Sequence, residues 1–305
     1  MKICSLLPSA TEILFALGLG EAVVGVSHEC DFPPEARRKR CVIRSVLVPE
    51  RHSSVAIDAA VREHAARHAS LYELDVEALR ELRPDVIVTQ ELCGVCAIET
   101  RDVLRAIEAL PGSPTVLSVH PHTISEMLDD IRCLGEALGR PGQAAHVIED
   151  CQARIERVRR RMGGVTARPR VACLEWLDPL MFAGHWVPEM VGLAGGCDLL
   201  GASGEPSGYV EWERLRRAQP EVLVLLPCGL PMERARRELA SLEALAGWED
   251  LPAVRQRRVW LVDGPAYFNR SGPRLVDGVE LLAHLFHPGV WGERIPSGAA
   301  ERVPG

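Results

Sequence analysis

Two rhythms of apolar and polar positions alternate along the first part of the chain. Short, nearly continuous apolar runs fall at Lys2–Leu6, Ala22–Ser27, Asp85–Thr89 and Thr115–Val119, with a weaker one at Cys41–Ile43. Between them the apolar positions take a helical period, at Ala10–Leu17, Val55–Ala69, Val76–Leu82 and Thr100–Leu110. Strands that are apolar on both faces and separated by helices predict a mainly parallel sheet covered on both sides. The first helix has a start signal in Ser9-Ala10-Thr11-Glu12, which fits a capping box with Ser9 as N-cap.

The rhythm then changes. From Thr123 to Met162 the period is helical, broken only at Gly139-Arg140-Pro141-Gly142. The piece Gln143–Met162 would be about 30 Å long at the helical rise, enough to cross from one lobe to another. Alternation resumes with strands predicted at Arg170–Glu175, Glu221–Leu226 and Val259–Val262. Helices are predicted at Val187–Ala194, Trp212–Ala218, Met232–Leu239, Leu242–Gly247 and Pro273–Leu285. The implied fold class is α/β: two Rossmann-like lobes with mainly parallel central sheets, joined by one long rigid helix. Its parts are an N-terminal lobe over 1–122, a helical connection over 123–164, a C-terminal lobe over 165–290, and a tail over 291–305 expected to be disordered.

Composition narrows the partners. A formal net charge of -7 speaks against nucleic acid, and the arginines at 157–161 end a helix, where cations favour the dipole. No apolar stretch is long enough to span a bilayer, so membrane insertion is not expected. The apolar run after Met1-Lys2 is too short for a secretory signal, and the ten cysteines suit a reducing compartment. Both point to the cytoplasm, with a periplasmic or extracellular site expected only if the start codon is misplaced.

In an open parallel sheet, ligands bind outside the carboxyl ends of the strands. In the first half that edge brings Pro8 and Ser9, the loop Ser27-His28-Glu29-Cys30-Asp31, and the loop Gln90–Cys96. His28, Cys30, Cys93 and Cys96 have the chemistry of a four-ligand zinc or iron site. The Cys-x-x-Cys pair is open to three readings: a structural or ligand-contacting role, a metal site, or a dithiol redox pair. In the second half the edge is aromatic and cationic, with Trp176, Phe182, His185, Trp186, Tyr209, Tyr267, Phe268 and Arg270. Aromatic residues are only 5% of the chain, so their concentration there predicts a flat apolar ligand surface. Neither a nucleophile elbow, a phosphate loop nor a dinucleotide fingerprint occurs, and binding is expected rather than catalysis.

Three segments carry a family resemblance. Ser5-Leu6-Leu7-Pro8-Ser9-Ala10-Thr11-Glu12-Ile13-Leu14, Leu79-Arg80-Glu81-Leu82-Arg83-Pro84-Asp85-Val86-Ile87-Val88 and Tyr267-Phe268-Asn269-Arg270-Ser271-Gly272-Pro273-Arg274 resemble the periplasmic binding proteins for vitamin B12, siderophores and haem. The likeness covers roughly Met1 to His287 and is strongest to the cobalamin-binding branch. It implies a small metal chelate, cobalamin or another corrinoid, held in a cleft between the lobes. It also implies that Tyr72, Trp176, Tyr209 and Phe268 line the corrin faces, and that Glu77 and Glu213 dock an ABC permease. The His-x-Cys-Asp-Phe-Pro and Cys-x-x-Cys-Ala segments depart from the family pattern, which leaves a metal-dependent enzyme or metal sensor as the alternative.

Overall fold

A computed structural model describes residues 1–47, 52–67, 70–90, 107, 110, 112–293 and 295–304. The chain divides into two compact units, Met1–Pro121 with Ser125–Glu149, and His122–Ile124 with Asp150–Gly305.

In the first unit the strands are β1 (Ile3–Ser5), β2 (Val23–Ser27), β3 (Arg40–Ser45), β4 (Tyr72–Leu74), β5 (Val86–Gln90) and β6 (Thr115–Val119), in the order β4-β3-β2-β1-β5-β6. All neighbours are parallel except the edge pair β3/β4. The helices are α1 (Pro8–Ala16), α2 (Ser54–Ala66), α3 (Val76–Leu82) and α4 (Ile124–Ala137), followed by α5 (Pro141–Met162), which holds residues of both units. Cys4, Leu6, Val42, Ile43, Leu79 and Ile87 form a shared core, so the central strands are buried on both faces as their apolar runs require. The helix expected at Thr100–Leu110 lies almost wholly outside the described residues.

One carboxylate in this unit sits against its own charge. Burial pushes Asp130 of α4 up to about 6, with a backbone hydrogen bond from His120 lowering it and the charges of Glu126 and Asp129 adding to the rise. The folded state therefore binds the proton more tightly than the unfolded chain, and stability falls as pH rises from about 4 through 6. The side chain is only partly buried, so the expected effect is discounted. Asp130→Asn should stabilise the unit by about 1 kcal/mol at pH 7.5 and by nothing at pH 3.5, measured by urea melts at both values.

The second unit has β7 (Arg170–Leu177), β8 (Leu180–Phe182), β9 (Cys197–Asp198), β10 (Gly208–Tyr209), β11 (Val222–Leu225), β12 (Val259–Val262) and β13 (Ala300–Arg302). The order is β10-β8-β7-β11-β12-β13, with β9 beside the start of β7. The β7-β11-β12 centre is parallel and the flanking strands β8, β10 and β13 are antiparallel. Its helices are α6 (Val187–Leu193), α7 (Trp212–Ala218), α8 (Met232–Glu243), α9 (Pro252–Arg255), α10 (Gly264–Tyr267), α11 (Leu275–Phe286) and α12 (Pro288–Trp291). Ala172, Leu174, Leu215, Leu223, Leu225 and Leu261 are among its fully buried core residues.

Two expectations are corrected here. The tail is not disordered: Ala300–Arg302 adds a strand to the free edge of β12, with Leu261 opposite Glu301, and Val303 joins the core. Ser9 is not an N-cap either. Helix α1 begins at Pro8 with Leu7 as cap and no side-chain cap bond, because proline's fixed φ and missing N–H suit the first helical position. Ser9 and Glu12 are thereby turned inward and buried.

Both units repeat one local device. Residues 75–88 (DVEALRELRPDVIV) and 211–224 (EWERLRRAQPEVLV) each run from an acidic cap through a short helix to a proline and a central strand. Leu79 and Leu215 anchor the helices in their cores, and Arg83 and Gln219 end them in the left-handed conformation at φ 50° and 49°. Asp85 then accepts from the Lys2 backbone N–H at 2.6 Å, as Glu221 does from that of Arg170 at 2.8 Å. The Lys2 and Arg170 side chains in turn donate to the helix-end carbonyls of Leu82 and Ala218.

The last part of α5 is fastened within the second unit by ion pairs. Arg154 pairs with Asp277 and, at 2.6 Å, with Glu280; Arg157 also reaches Glu280 at 2.7 Å. Arg161 pairs with Glu293 at 2.9 Å, donates to the Trp291 carbonyl at 2.8 Å and lies 4.7 Å from that indole's centroid. The arginine cluster is thus engaged with its own unit.

Candidate functional site

The sheet of the first unit reverses its winding around β1, and buried polar side chains gather at the carboxyl ends of the strands there. Ser5 ends β1, Ser27 ends β2, Thr89 lies on β5, and Ser9, Thr11 and Glu12 occupy the first turns of α1; all six are buried. The Thr11 hydroxyl lies 2.8 Å from Ser5 Oγ and 3.0 Å from Cys30 Sγ, and Ser5 donates to the Leu7 carbonyl at 3.1 Å. Sequence reasoning placed Pro8, Ser9 and the strand ends at Ser27 and Thr89 on this edge but did not single out Ser5 and Thr11. The available signal was a hydroxyl at the end of each otherwise apolar strand.

His28 and Cys30 have separate surroundings. The His28 ring is partly buried, with Nδ1 3.2 Å from the Ile43 carbonyl and its centroid 6.2 Å from that of the half-buried Tyr72. Cys30 is buried against Thr11. Both border a hollow of about 340 Å³ with Asp31, Arg37, Lys39 and Cys41. Cys93 and Cys96, the other half of the expected metal quartet, lie outside the described residues. Among the described residues no three His, Cys, Asp or Glu side chains are placed to hold a metal ion.

In the second unit the expected aromatic edge divides into surface and core. Phe268 is 1% exposed and wholly interior, which corrects its assignment to a ligand face. Its carbonyl instead accepts the Trp186 indole N–H at 2.7 Å. Trp176 and Phe182 are half-buried and packed on the core, Trp176 donating to the Asp178 carbonyl at 3.0 Å and Phe182 lying 5.8 Å from the Arg214 guanidinium. Tyr209, on the edge strand β10, is 50% exposed. Tyr267 and Arg270 are half-buried before α11, and burial raises the Tyr267 phenol, with Asp263 and Asp277 adding to the rise and Arg274 opposing it.

His185 is held in the left-handed region at φ 52°. Its N–H donates to the Glu205 carbonyl at 2.5 Å and its carbonyl accepts from Gly204 at 2.9 Å. The preceding Gly184 has no room for a side chain: a Cβ there would stand 2.5 Å from the Glu205 carbonyl oxygen and the Ser207 nitrogen. Sequence reasoning selected His185 but missed its neighbour His122, whose ring centroid lies 5.4 Å away.

Glu77 and Glu213 occupy equivalent places in the repeated device, in the first turns of α3 and α7. Their side chains are 77% and 52% exposed, each paired along its helix, with Arg80 at 2.5 Å and Arg216 at 2.8 Å. Exposed pairs of this kind contribute a few tenths of a kcal/mol, roughly, so fold stability does not require these two carboxylates.

Two parallel-sheet units joined through a long helix, each with its own carboxyl edge of polar or aromatic side chains, define a two-lobed solute-binding architecture. The chain belongs to the periplasmic binding protein family, whose sequence pattern matches residues 3–266. It is 25% identical over 301 residues to an uncharacterised ABC transporter substrate-binding lipoprotein of Bacillus subtilis, covering 96% of this chain and 82% of that one. To a vitamin B12-binding protein of Vibrio cholerae it is 23% identical over 289 residues, covering 92% and 86%. A periplasmic heme-binding protein from Pseudomonas aeruginosa has the same fold, with a TM-score of 0.75 at 20% identity over 100% of this chain and 98% of that one.

The family and the lipoprotein relative overturn the cytoplasmic expectation, since periplasmic binding proteins and substrate-binding lipoproteins work outside the cytoplasm. The cysteine count misled for a physical reason. Burial pushes the Cys4 thiol up to about 12 and that of Cys151 up to about 11, and drives Cys173 well up, so these side chains are apolar filling rather than reactive thiolates. Among the described residues, no helix is long and apolar enough to cross a membrane.

Proposed function

We propose that this protein is the solute-binding component of an ABC-type uptake system, working outside the cytoplasm, and that its solute is a flat metal chelate of the corrinoid type. The observation that carries the reading is the aromatic carboxyl edge of the second sheet. Trp176, Phe182 and Trp186 are half-buried and Tyr209 is exposed, and the half-buried Tyr267 and Arg270 follow the carboxyl end of β12. Rings left exposed at a strand edge favour an apolar planar partner. The vitamin B12-binding relative supports a corrinoid within that class.

Hydroxocobalamin titrated into the purified protein should shift its visible spectrum and co-elute at one per chain, and Tyr209→Ala and Trp186→Ala should each weaken binding about tenfold. A chain that neither shifts nor retains the corrinoid sinks this choice of solute. Binding of hemin alone would assign the edge to heme instead.

Glu77 and Glu213 are the permease contacts in this reading. Their support is that two equivalently built helices each present one carboxylate that stability does not need. Charge reversal at both, Glu77→Lys with Glu213→Lys, should abolish uptake or stimulation of the permease's ATPase while solute affinity changes less than twofold. Unaltered uptake would remove them from the interface.

A further inference from the structure

We propose that His122 and His185 form a two-imidazole site for a divalent late transition ion, of which Cu²⁺ and Ni²⁺ are the best matches. The two rings lie 5.4 Å apart between centroids, with their planes inclined by 32°. A metal about 2.1 Å from an imidazole nitrogen lies about 3.2 Å from that ring's centroid, so two histidines bound at angles from 90° to tetrahedral have centroids roughly 4.5–5.2 Å apart. The observed 5.4 Å lies just above that range, so a small closing movement brings the two rings to the spacing of a shared ion.

The pair is also held in place. Three segments, 122–124, 184–189 and 204–207, lock together around it. The Ile124 N–H donates to Glu189 Oε2 at 3.1 Å, which ties the His122 segment to the first turn of α6. The Gly184 N–H donates to Ser207 Oγ at 3.0 Å, and both backbone groups of His185 are bonded into the 204–205 loop. The Thr123 methyl stands 3.6 Å from the place of a Cβ on Gly204. A non-glycine residue in the left-handed region stores strain of order 1 kcal/mol, and such positions persist where surrounding structure over-determines them. Here the constraint fixes one imidazole beside a second.

The chemistry selects the ion. Neutral imidazole favours Cu, Ni and Zn over the hard cations Mg and Ca, and among the divalent ions affinity peaks at Cu. With no third His, Cys, Asp or Glu side chain placed to complete a set among the described residues, the ion would keep open positions for water or an incoming donor. A two-ligand chelate of this kind exchanges readily, and proton competition weakens it as pH falls through the histidine range.

The Trp186 ring lies 5.7 Å from that of His185, giving the site its own reporter. The test uses the full chain, free of any affinity tag and stripped with chelator, titrated with CuCl₂, NiCl₂ and MgCl₂ by calorimetry and tryptophan fluorescence. No chelate solute is present, so the result is independent of the solute reading. Expected are one ion per chain, Cu²⁺ tighter than Ni²⁺, no response to Mg²⁺, and quenching that disappears in Trp186→Phe. His122→Ala and His185→Asn should each weaken Ni²⁺ at least tenfold. Asparagine tolerates the left-handed backbone, so the second variant tests the imidazole and not the fold. Absence of Ni²⁺ and Cu²⁺ binding in the wild type, or binding that survives both substitutions together in a normally melting protein, would overturn the proposal.

Discussion

Gly184→Ala is expected to destabilise the second unit by about 3 kcal/mol, lowering its melting transition by roughly 6–12 °C. The added Cβ would stand 2.5 Å from three main-chain atoms, the Glu205 oxygen, the Pro206 carbonyl carbon and the Ser207 nitrogen. A flexible side chain would swing away from such an intrusion, but these atoms are bonded to the Gly184–His185 segment itself. The Gly184 N–H holds Ser207 Oγ and the His185 N–H holds the Glu205 carbonyl, so the loop cannot retreat without breaking both bonds. The same substitution at Gly192 is the control. It lies within α6 with nothing within 4 Å of a Cβ, and alanine there should stabilise by about 0.5–1 kcal/mol. Thermal melts of the two variants should diverge in sign. A neutral Gly184→Ala would mean that segments 184–185 and 205–207 are not packed as described.

Arg154→Met should be nearly as damaging, at about 2–3 kcal/mol. Its guanidinium pairs with Asp277 and Glu280 of α11, and its side chain is mostly out of solvent. Methionine preserves the aliphatic stem but leaves Asp277 without the cation it bonds, while Glu280 keeps Arg157. The loss comes from the carboxylate left partly buried, so it should persist in 1 M salt, where an exposed pair would be screened. Arg132→Ala is the matched control on α4. It removes an exposed partner of Asp129 and should change stability by less than about 0.5 kcal/mol. Urea melts at low and high salt separate the two cases. A salt-erased effect at Arg154 would show that the clamp on α5 is a surface pair.

Sheet centres were legible from the chain for a simple reason. Runs such as Val86-Ile87-Val88 and Val222-Leu223-Val224-Leu225 are buried on both faces, and no other environment accepts them. Edge strands were not. Leu180–Phe182, Gly208–Tyr209 and Ala300–Arg302 are three residues or fewer, and each is a strand only because a distant partner offers a free edge. The long helix was foreseen from Gln143, yet it starts at Pro141, since proline ends the preceding turn and opens the next. The site shows the same division. Chemistry-bearing residues next to strand ends, such as Ser9 and Trp186, could be picked out by position. Whether a ring faces outward could not, and Phe268 was misread beside the half-buried Tyr267. His122 gave no local sign at all, because its partner is His185 and only tertiary structure brings them together.

In the device shared by residues 75–88 and 211–224, the two units terminate a helix and pin a strand with the same sequence of moves, down to the carboxylate that holds the backbone of Lys2 or Arg170, and so solve one structural demand twice. The two copies share their pins but not their core-facing side chains: the 211–224 sequence placed at 75–88 would set an arginine at the buried Ala78 position and an alanine at Leu82, so a chimera should fold only if it keeps Ala78 and Leu82.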